Sequence, residues 1–451
     1  MTETVDEFYG RVRTATVAAL EHGATTIEAI VDFTSVLPTE IRAVLDQMES
    51  DHIVVRRSNS YQLADQRQPT YASIRATWVE RRAAGAAALD AFRARLHLPH
   101  CLDYEWWFAL DGIEAVAETV FYHGRQPLSM TVACLGAPSV AVYLAAAIPE
   151  IHVIALDRST PTIDAITACA LGNVDARTYD VRHRLPPDVV GVAQTVFCDP
   201  PWYVDYYHAF LTRCTELMGA ESVLVTILFP PLTRPNAQFE RDEILRILPD
   251  LGLHLEALHP LSVLYDTPPF EAALLPIRRS AWRCGDLVVA RLVGVRSPPQ
   301  GPLTLDDAEW ETVLVGRIKV MLRIRADEDV ATMPVIRTLP DGPAIGSVSR
   351  RSEARNLIDL WTSTHLGYGA SGWRILRLIL EGIAAGATIA SITSAASQLL
   401  ERELRQDERE AVAVAYREFL SILSNAPNAA TPPRDRHAAV PHLDLAGKQD
   451  D

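Results

Sequence analysis

The residues best suited to chemistry lie in the segment Cys198–Tyr203, which reads C-D-P-P-W-Y and follows an apolar run. Two successive prolines keep the backbone extended and remove two N–H donors, so carbonyl oxygens remain as acceptors. Beside the Pro200 carbonyl, the Asp199 carboxylate can orient an amine and accept its proton. Trp202 and Tyr203 can form a stacking wall or a cation–π surface for a substrate. The segment predicts an amine-alkylating site with Asp199, Pro200, Trp202 and Tyr203 as its catalytic residues, and we call Asp199–Tyr203 the DPPWY segment.

Three more predicted strands end in residues that suit a nucleoside-containing ligand. Gly136 and Ser139 belong to a glycine turn that leads into a helix, where backbone N–H groups can face a ligand. Asp157 ends the next strand, where an acid can bind two ribose hydroxyls. Asp180 lies farther along the chain, where a carboxylate can accept from an adenine amino group. The alternatives are a solvated strand-end acid for Asp157 and a loop acid for Asp180.

The elements that must position these residues alternate between strand and helix from Thr131 to Leu228. Such alternation is typical of an α/β fold with a doubly wound, mostly parallel sheet. Ligands of these sheets bind at the carboxyl ends of the strands. The four strand-end positions are therefore expected to share one edge, within a catalytic domain over residues 129–278.

Residues 1–66 have the pattern of a winged helix, with three short helices followed by a β-hairpin over 53–63. The function of such a module is either DNA recognition or docking and dimerisation. The third helix has Arg42 as its only base, beside several acids, so we expect docking, with a homodimer through this domain as one outcome.

The other predicted regions are less informative. Residues 67–128 form a helical connector, and 279–424 form an α+β, mainly helical C-terminal region. The tail 425–451 is rich in proline, alanine and charge and is predicted to be disordered.

Bulk composition narrows the classes of function. The net charge of −15 disfavours a nucleic-acid partner and is easier to reconcile with a cationic or neutral small substrate. The six cysteines include no C-x-x-C pair, which argues against structural zinc or disulfides, and we predict no metal site. No apolar stretch is long enough for a membrane span and the acidic start does not resemble a signal peptide, so we expect a cytoplasmic protein.

The order of these pieces resembles class I S-adenosylmethionine-dependent methyltransferases from about Met130 to Leu275. The resemblance implies that the glycine turn binds the methionine part, that Asp157 binds the ribose, and that the DPPWY segment binds the target amine. The D-P-P-W motif is similar to that of amino-methyltransferases, including N6-adenine enzymes.

Over residues 1–280 the chain also resembles the branched-chain polyamine synthases (bis(aminopropyl)spermidine synthases), which transfer an aminopropyl group from decarboxylated S-adenosylmethionine to a polyamine. The resemblance includes the later segment Tyr265–Glu271, whose Asp266 and Glu271 are expected to bind substrate if this loop folds over the pocket. Where that family has G-D-D-D, this chain has Gly136-Ala137-Pro138-Ser139, and DPPWY replaces D-P-P-E-T. The missing acids are those that favour the decarboxylated donor and a polyamine.

Three hypotheses remain open at this stage. The first is an aminopropyl-type alkyl transferase that acts on a small amine or polyamine. The second is a methyltransferase that acts on an amino group. The third is a non-enzymatic sensor or scaffold. Both enzymatic hypotheses use S-adenosylmethionine or its decarboxylated form as co-substrate.

Overall fold

A computed structural model describes residues 9, 12–13, 15–17, 19–20, 23–34, 36–64, 78–123, 130–272, 280–294, 303, 305, 309–347 and 349–424. The predicted disordered tail lies outside the described residues, as does the start of the predicted connector. The chain divides into two compact units. The first unit comprises 1–95, 110–264 and 284–305, and the second comprises 96–109, 265–283 and 306–451.

In the first unit, the earliest elements whose bounds the structure describes are two helices and a hairpin. These are α1 (Ile27–Thr34), α2 (Pro38–Ser50), β1 (Val54–Arg57) and β2 (Ser60–Leu63), the two strands being antiparallel. The buried positions of α2 recur at three- and four-residue spacing, as on one face of a helix: Ile41, Val44, Leu45 and Met48. They pack with Val54 and Tyr61 of the hairpin in one apolar core. The winged-helix assignment stays a prediction.

A seven-stranded sheet forms the centre of the first unit. Its strands are β3 (Thr131–Leu135), β4 (His152–Asp157), β5 (Val174–Thr178), β6 (Ala193–Cys198), β7 (Met218–Leu228), β8 (Leu253–Asp266) and β9 (Ala281–Leu292). Their order is β5-β4-β3-β6-β7-β9-β8, with parallel pairing from β5 to β7 and β9 antiparallel to β7. The predicted mixed α/β fold with a mostly parallel sheet is confirmed.

The direction of winding reverses between β3 and β6. The chain moves outward from β3 through β4 to β5 and then returns to place β6 on the other side of β3. In open α/β sheets such a reversal opens a crevice at the carboxyl edge, where ligands bind. The residues that follow β3 and β6 are therefore the ones expected to contact a ligand in this crevice.

Helices cover this sheet: α3 (Trp78–Arg93), α4 (Leu110–His123), α5 (Pro138–Ala147), α6 (Thr160–Thr167), α7 (Val204–Leu217) and α8 (Ala237–Asp250). Nearly every residue of α5 is buried, because α3 packs on it closely. A Cβ at Gly85 of α3 would lie 2.7 Å from the Tyr143 ring of α5. Glycine is therefore required for this helix contact, despite its low helix propensity.

The second unit contains a five-stranded antiparallel sheet with the order β10-β11-β13-β14-β12. The strands are β10 (Trp310–Val315), β11 (Ile318–Arg323), β12 (Val335–Thr338), β13 (Leu360–Thr362) and β14 (Gly367–Ser371). Its helices are α9 (Pro269–Ala272), α10 (Trp373–Ala384), α11 (Ile389–Leu399) and α12 (Gln406–Ser424). The predicted α+β, mainly helical organisation of residues 279–424 stays a prediction, and strands β10, β12, β13 and β14 were not predicted.

Within the described residues, no helix combines the length and the apolar character needed to cross a bilayer. The same residues contain no group of three or more His, Cys, Asp or Glu side chains arranged to hold a metal ion.

Candidate active site

The predicted strand-end residues of the first unit share one edge of the sheet. Leu135 pairs with Leu156 on one side and Cys198 on the other, so Gly136, Asp157 and Asp199 each lie one residue beyond a paired position. The Gly136 N–H donates to the Leu156 carbonyl at 2.8 Å. Gly136 and Asp199 therefore flank the crevice between β3 and β6.

The turn after β3 has the features of a backbone anion or polar-group cradle. Gly136 adopts a φ of +64°, and a Cβ there would lie 2.9 Å from the Phe210 ring. The next residues start α5 with Ala137 as N-cap, which supplies no side-chain hydrogen bond, and Ser139 is buried in the first turn. The N–H groups that begin a helix need acceptors, and a ligand can provide them where no cap does.

The Asp157 carboxylate is held in place by its own backbone. Its Oδ1 accepts the Ser159 N–H at 2.8 Å, and Ser159 in turn caps α6. The Asp157 carbonyl accepts the Tyr179 N–H, also at 2.8 Å. This half-buried carboxylate is thus oriented before any ligand binds.

The Asp180 carboxylate is held by Arg182, two residues later. It accepts the Arg182 backbone N–H at 2.9 Å and forms an ion pair with the guanidinium at 2.6 Å. Burial alone would raise the pKa of Asp180, but the hydrogen bonds from Arg182 and the charges of Arg182 and Arg158 hold this pKa below its ordinary value. A ligand amino group would have to share this carboxylate with Arg182.

The DPPWY segment makes a tight turn into α7. The Tyr203 N–H donates to the Pro201 carbonyl at 2.6 Å, and Pro200 is buried. Cys198, just before the segment, is buried and donates to the Thr226 hydroxyl at 3.3 Å, which fits a packing role. The half-buried Asp199 is left as the acidic group of the segment.

The negative charge of Asp199 acts on the hydroxyl of Tyr207. Its hydroxyl donates to the Ile227 carbonyl at 2.7 Å. Burial, and then the negative charge of Asp199, raise the pKa of Tyr207 well above its ordinary value. Tyr207 therefore stays protonated at neutral pH and cannot serve as the base.

Sequence reasoning missed Arg234, in the loop after β7. Its Nη2 donates to the Trp202 carbonyl at 2.5 Å, and it forms an ion pair with Glu240 at 2.5 Å. The guanidinium carbon lies 4.1 Å from the centroid of the Phe229 ring and 5.7 Å from that of Tyr203. The sequence contained a signal for Arg234, because its loop follows β7, the strand next to β6, and so reaches the same edge of the sheet.

An aromatic row on α7 was also missed. The ring centroids of Tyr203 and Tyr206 are 6.5 Å apart, as are those of Tyr206 and Phe210. Spacings of three and four residues place side chains on one helix face. The row extends from the DPPWY segment to Phe210, which touches the Gly136 turn.

The remaining predicted substrate residues, Asp266 and Glu271, belong to the second unit. Asp266 ends β8, and its N–H donates to the Trp107 carbonyl at 2.8 Å. Glu271 is 5% exposed, forms an ion pair with Arg283 and accepts the Trp106 indole N–H at 3.1 Å. Its charge is therefore already compensated within the protein.

No protein-family model matches the chain, and neither does any curated protein. Among solved structures, the branched-chain polyamine synthase from Thermus thermophilus, in complex with N4-aminopropylspermidine and 5'-methylthioadenosine, is 16% identical. That similarity covers 66% of this chain and 91% of that one, with a TM-score of 0.45.

Two methyltransferases are more distant. Geranyl diphosphate C-methyltransferase from Streptomyces coelicolor is 20% identical over 40% of this chain and 79% of that one, with a TM-score of 0.30. A putative RNA methyltransferase from Pyrococcus horikoshii is 15% identical over 46% of this chain and 98% of that one, with a TM-score of 0.35. At these identities and TM-scores the similarities establish neither the family nor the activity of this chain.

Proposed function

We propose that the chain is a transferase that moves an alkyl group from an S-adenosylmethionine-type donor to an amine at the DPPWY segment. One observation carries the proposal: the Gly136 turn and the DPPWY segment flank the point where the winding of the sheet reverses. Sheets of this build bind ligands there. The methyltransferase-like resemblance assigns the donor to the first of these features and the amine to the second.

The residues around Gly136 fit the donor. The uncapped start of α5 offers backbone N–H groups, and the oriented carboxylate of Asp157 suits two ribose hydroxyls. Asp180 is the proposed partner of the adenine amino group. When bound, the donor would supply a carbon activated by a sulfonium, the leaving group of the displacement.

The DPPWY segment would position the amine. Asp199 would accept hydrogen bonds from the amine and take its proton, and the Pro200 carbonyl would hold a second N–H. Trp202 and Tyr203 would exclude water from one side. Most of the rate enhancement would come from holding the amine in line with the donor carbon.

The pairing of acids with arginines favours methyl transfer over aminopropyl transfer. A polyamine needs several carboxylates for its several ammonium groups, but Asp180 is bound by Arg182, and Glu271 by Arg283. The first turn, Gly136-Ala137-Pro138-Ser139, also lacks acids that would repel the carboxylate of intact S-adenosylmethionine. Aminopropyl transfer to a polyamine is the second candidate, supported by the layout of residues 1–280.

Calorimetry with S-adenosylmethionine and with its decarboxylated form separates these functions. We expect wild type to bind the intact donor and Asp157→Ala to bind it at least about tenfold more weakly, since two charge-assisted hydrogen bonds are lost. Asp164→Ala, which removes an exposed acid from α6, is the matched control. Binding of the decarboxylated donor alone would favour aminopropyl transfer, and binding of neither would leave the scaffold hypothesis.

Asp199→Asn tests the chemistry separately from donor binding. General acid–base catalysis contributes on the order of 100- to 10,000-fold to rates. We expect single-turnover transfer to fall by about that range while donor affinity stays within about twofold of wild type. Unchanged transfer would remove Asp199 from the mechanism.

For residues 1–66 we propose a winged-helix docking or dimerisation module. The described helices and hairpin support it, and the basic content of α2 is limited to Arg42. Light scattering of the full chain and of a variant with Phe33→Asp, an exposed apolar residue of α1, tests dimerisation.

A further inference from the structure

We propose that Arg234 selects the acceptor by charge: its guanidinium binds a carboxylate or phosphate group of the acceptor and disfavours amines that carry further positive charges. This inference rests on the proposed function and names the acceptor class of the same site. Arg234 would act as a specificity residue, beside the amine-positioning Asp199.

The first observation is that Arg234 already occupies the cation position of the aromatic wall. Its guanidinium lies 4.1 Å from the Phe229 centroid and 5.7 Å from that of Tyr203, both within the range of a cation–π contact. The sequence predicts that Trp202 and Tyr203 form either a stacking wall or a cation–π surface for a cationic substrate. In the folded chain, a second cation would meet the positive charge of Arg234 there.

The second observation is the orientation of the guanidinium. Nε and Nη2 donate to Glu240, and Nη2 also donates to the Trp202 carbonyl. Nη1 has no hydrogen-bond partner among the described residues, and it is not one of their buried unsatisfied atoms. One edge of the group is thus fixed, while Nη1 keeps two donors toward solvent, an arrangement that suits an oxyanion.

The third observation is the charge around the site. Asp180 is bound by Arg182, and the charge of Arg158 acts on both. Three arginines, Arg158, Arg182 and Arg234, thus lie along the edge that carries Asp199, and Arg182 and Arg234 form ion pairs there with Asp180 and Glu240. Because these carboxylates offset the charges of Arg182 and Arg234, the preference for an acceptor with negative charge rests on the Nη1 donors of Arg234 and not on the net charge of the edge.

Two acceptor probes of equal length test the inference: 5-aminopentanoate, with one amine and one carboxylate, and pentane-1,5-diamine. Their affinities for the full chain would be measured by ligand-observed NMR titration, without donor and again with it. We expect wild type to bind the amino acid at least about tenfold more tightly than the diamine. Arg234→Gln should reduce this ratio by about tenfold.

Glu240→Gln keeps Arg234 and removes its neutralising carboxylate, so the ratio should rise above that of wild type. Asp242→Asn changes the net charge equally on the same helix without touching Arg234, and it should leave the ratio unchanged. The inference would be overturned if wild type bound the two probes equally or bound neither. It would also be overturned if Arg234→Gln left the ratio unchanged, or if Glu240→Gln and Asp242→Asn changed it equally. Selective binding without any alkyl transfer would instead contradict the proposed function alone.

Discussion

Two buried arginines, one in each unit, show opposite ways of placing a charge inside a protein. Arg241 of the first unit is 7% exposed and lies 2.8 Å from the buried Asp286, and it also donates to the Phe229 carbonyl. Arg355 of the second unit is 8% exposed, forms no ion pair among the described residues, and leaves its Nη1 without a hydrogen-bond partner there. Equal burial thus accompanies an ion-paired charge in the first unit and, among the described residues, a charge without an ion pair in the second.

The units also differ in their titratable groups. The histidines with lowered pKa values, His97, His100 and His365, all belong to the second unit, and burial is the first cause in each case. The described groups of the first unit with raised pKa values include buried tyrosines and cysteines, which already titrate above neutral pH. The lowered histidine pKa values therefore make the second unit the place where histidine protonation in acid costs stability.

The largest expected effect is the loss of the Arg241–Asp286 pair. Arg241→Met leaves the Asp286 carboxylate buried with one remaining partner among the described residues, the Leu261 N–H at 2.8 Å. Removing one member of a buried pair costs about 3–5 kcal/mol, so we expect urea unfolding to show a loss of that size in Arg241→Met. Arg325→Met is the control, because its pair with Asp359 is 44% exposed on the arginine side and should cost less than about 1 kcal/mol. Equal losses of unfolding free energy in Arg241→Met and Arg325→Met would mean that burial does not make the Arg241–Asp286 pair more costly to break.

The first-unit sheet was predictable because its strands are apolar runs that end at chemically distinctive residues. β3, β4 and β6 end beside Gly136, Asp157 and Asp199, and strand-helix alternation requires them to be parallel. Arg234 was not predicted, since its contact with the Trp202 carbonyl depends on how two separate loops fold together. Strands β10 and β12 to β14 were not predicted either, and two of them, β13 and β14, have only three and five residues, too few to show alternation.

The next effect concerns the pH dependence of the second unit. The His100 ring is buried, with Nδ1 accepting the Leu102 N–H at 3.1 Å and Nε2 facing the Trp361 carbonyl at 3.2 Å. Protonation of Nδ1 would set two N–H groups against each other. Burial is the main reason that the pKa of His100 is lowered to about 4; the charge of Asp103 raises it and that of Lys319 lowers it.

The folded-state pKa of His100 is depressed, so its contribution to stability is complete above the unfolded pKa of about 6.5 and is lost as pH falls toward 4. We expect the contribution of His100 to the free energy of unfolding to fall by roughly 2–3 kcal/mol between pH 7 and pH 4. His100→Gln should remove this part of the pH dependence. Glu105 has the opposite effect on the pH dependence of stability, because burial raises its pKa to about 7. Wild type and His100→Gln both contain Glu105, so it does not contribute to the difference between them. Parallel stability curves for the two proteins would rule out His100 as the titrating group.

A smaller effect, of opposite sign to that of Arg241→Met, is expected at Arg355. Arg355→Met removes a buried charge that has no carboxylate partner among the described residues, so unfolding free energy should rise by about 1 kcal/mol. Arg323→Met, on β11 of the same unit, is the control, since Arg323 donates to the carbonyls of Asn356 at 3.0 Å and Arg355 at 2.8 Å. The control should lose about 1 kcal/mol. Destabilisation by Arg355→Met would mean that its charge is compensated.

The smallest effect is expected at Arg182, because its side chain is 46% exposed and solvent screens its charge in the pair with Asp180. Arg182→Ala should change the free energy of unfolding by less than about 0.5 kcal/mol. It would also release the Asp180 carboxylate, whose pKa should rise toward its ordinary value while the group stays ionised at neutral pH. If Asp180 binds the donor, calorimetry should show an affinity for S-adenosylmethionine about two- to threefold higher in Arg182→Ala and lower in Asp180→Asn. Unchanged affinity in both variants would make Asp180 a partner of Arg182 alone and leave donor binding to Asp157 and the Gly136 turn.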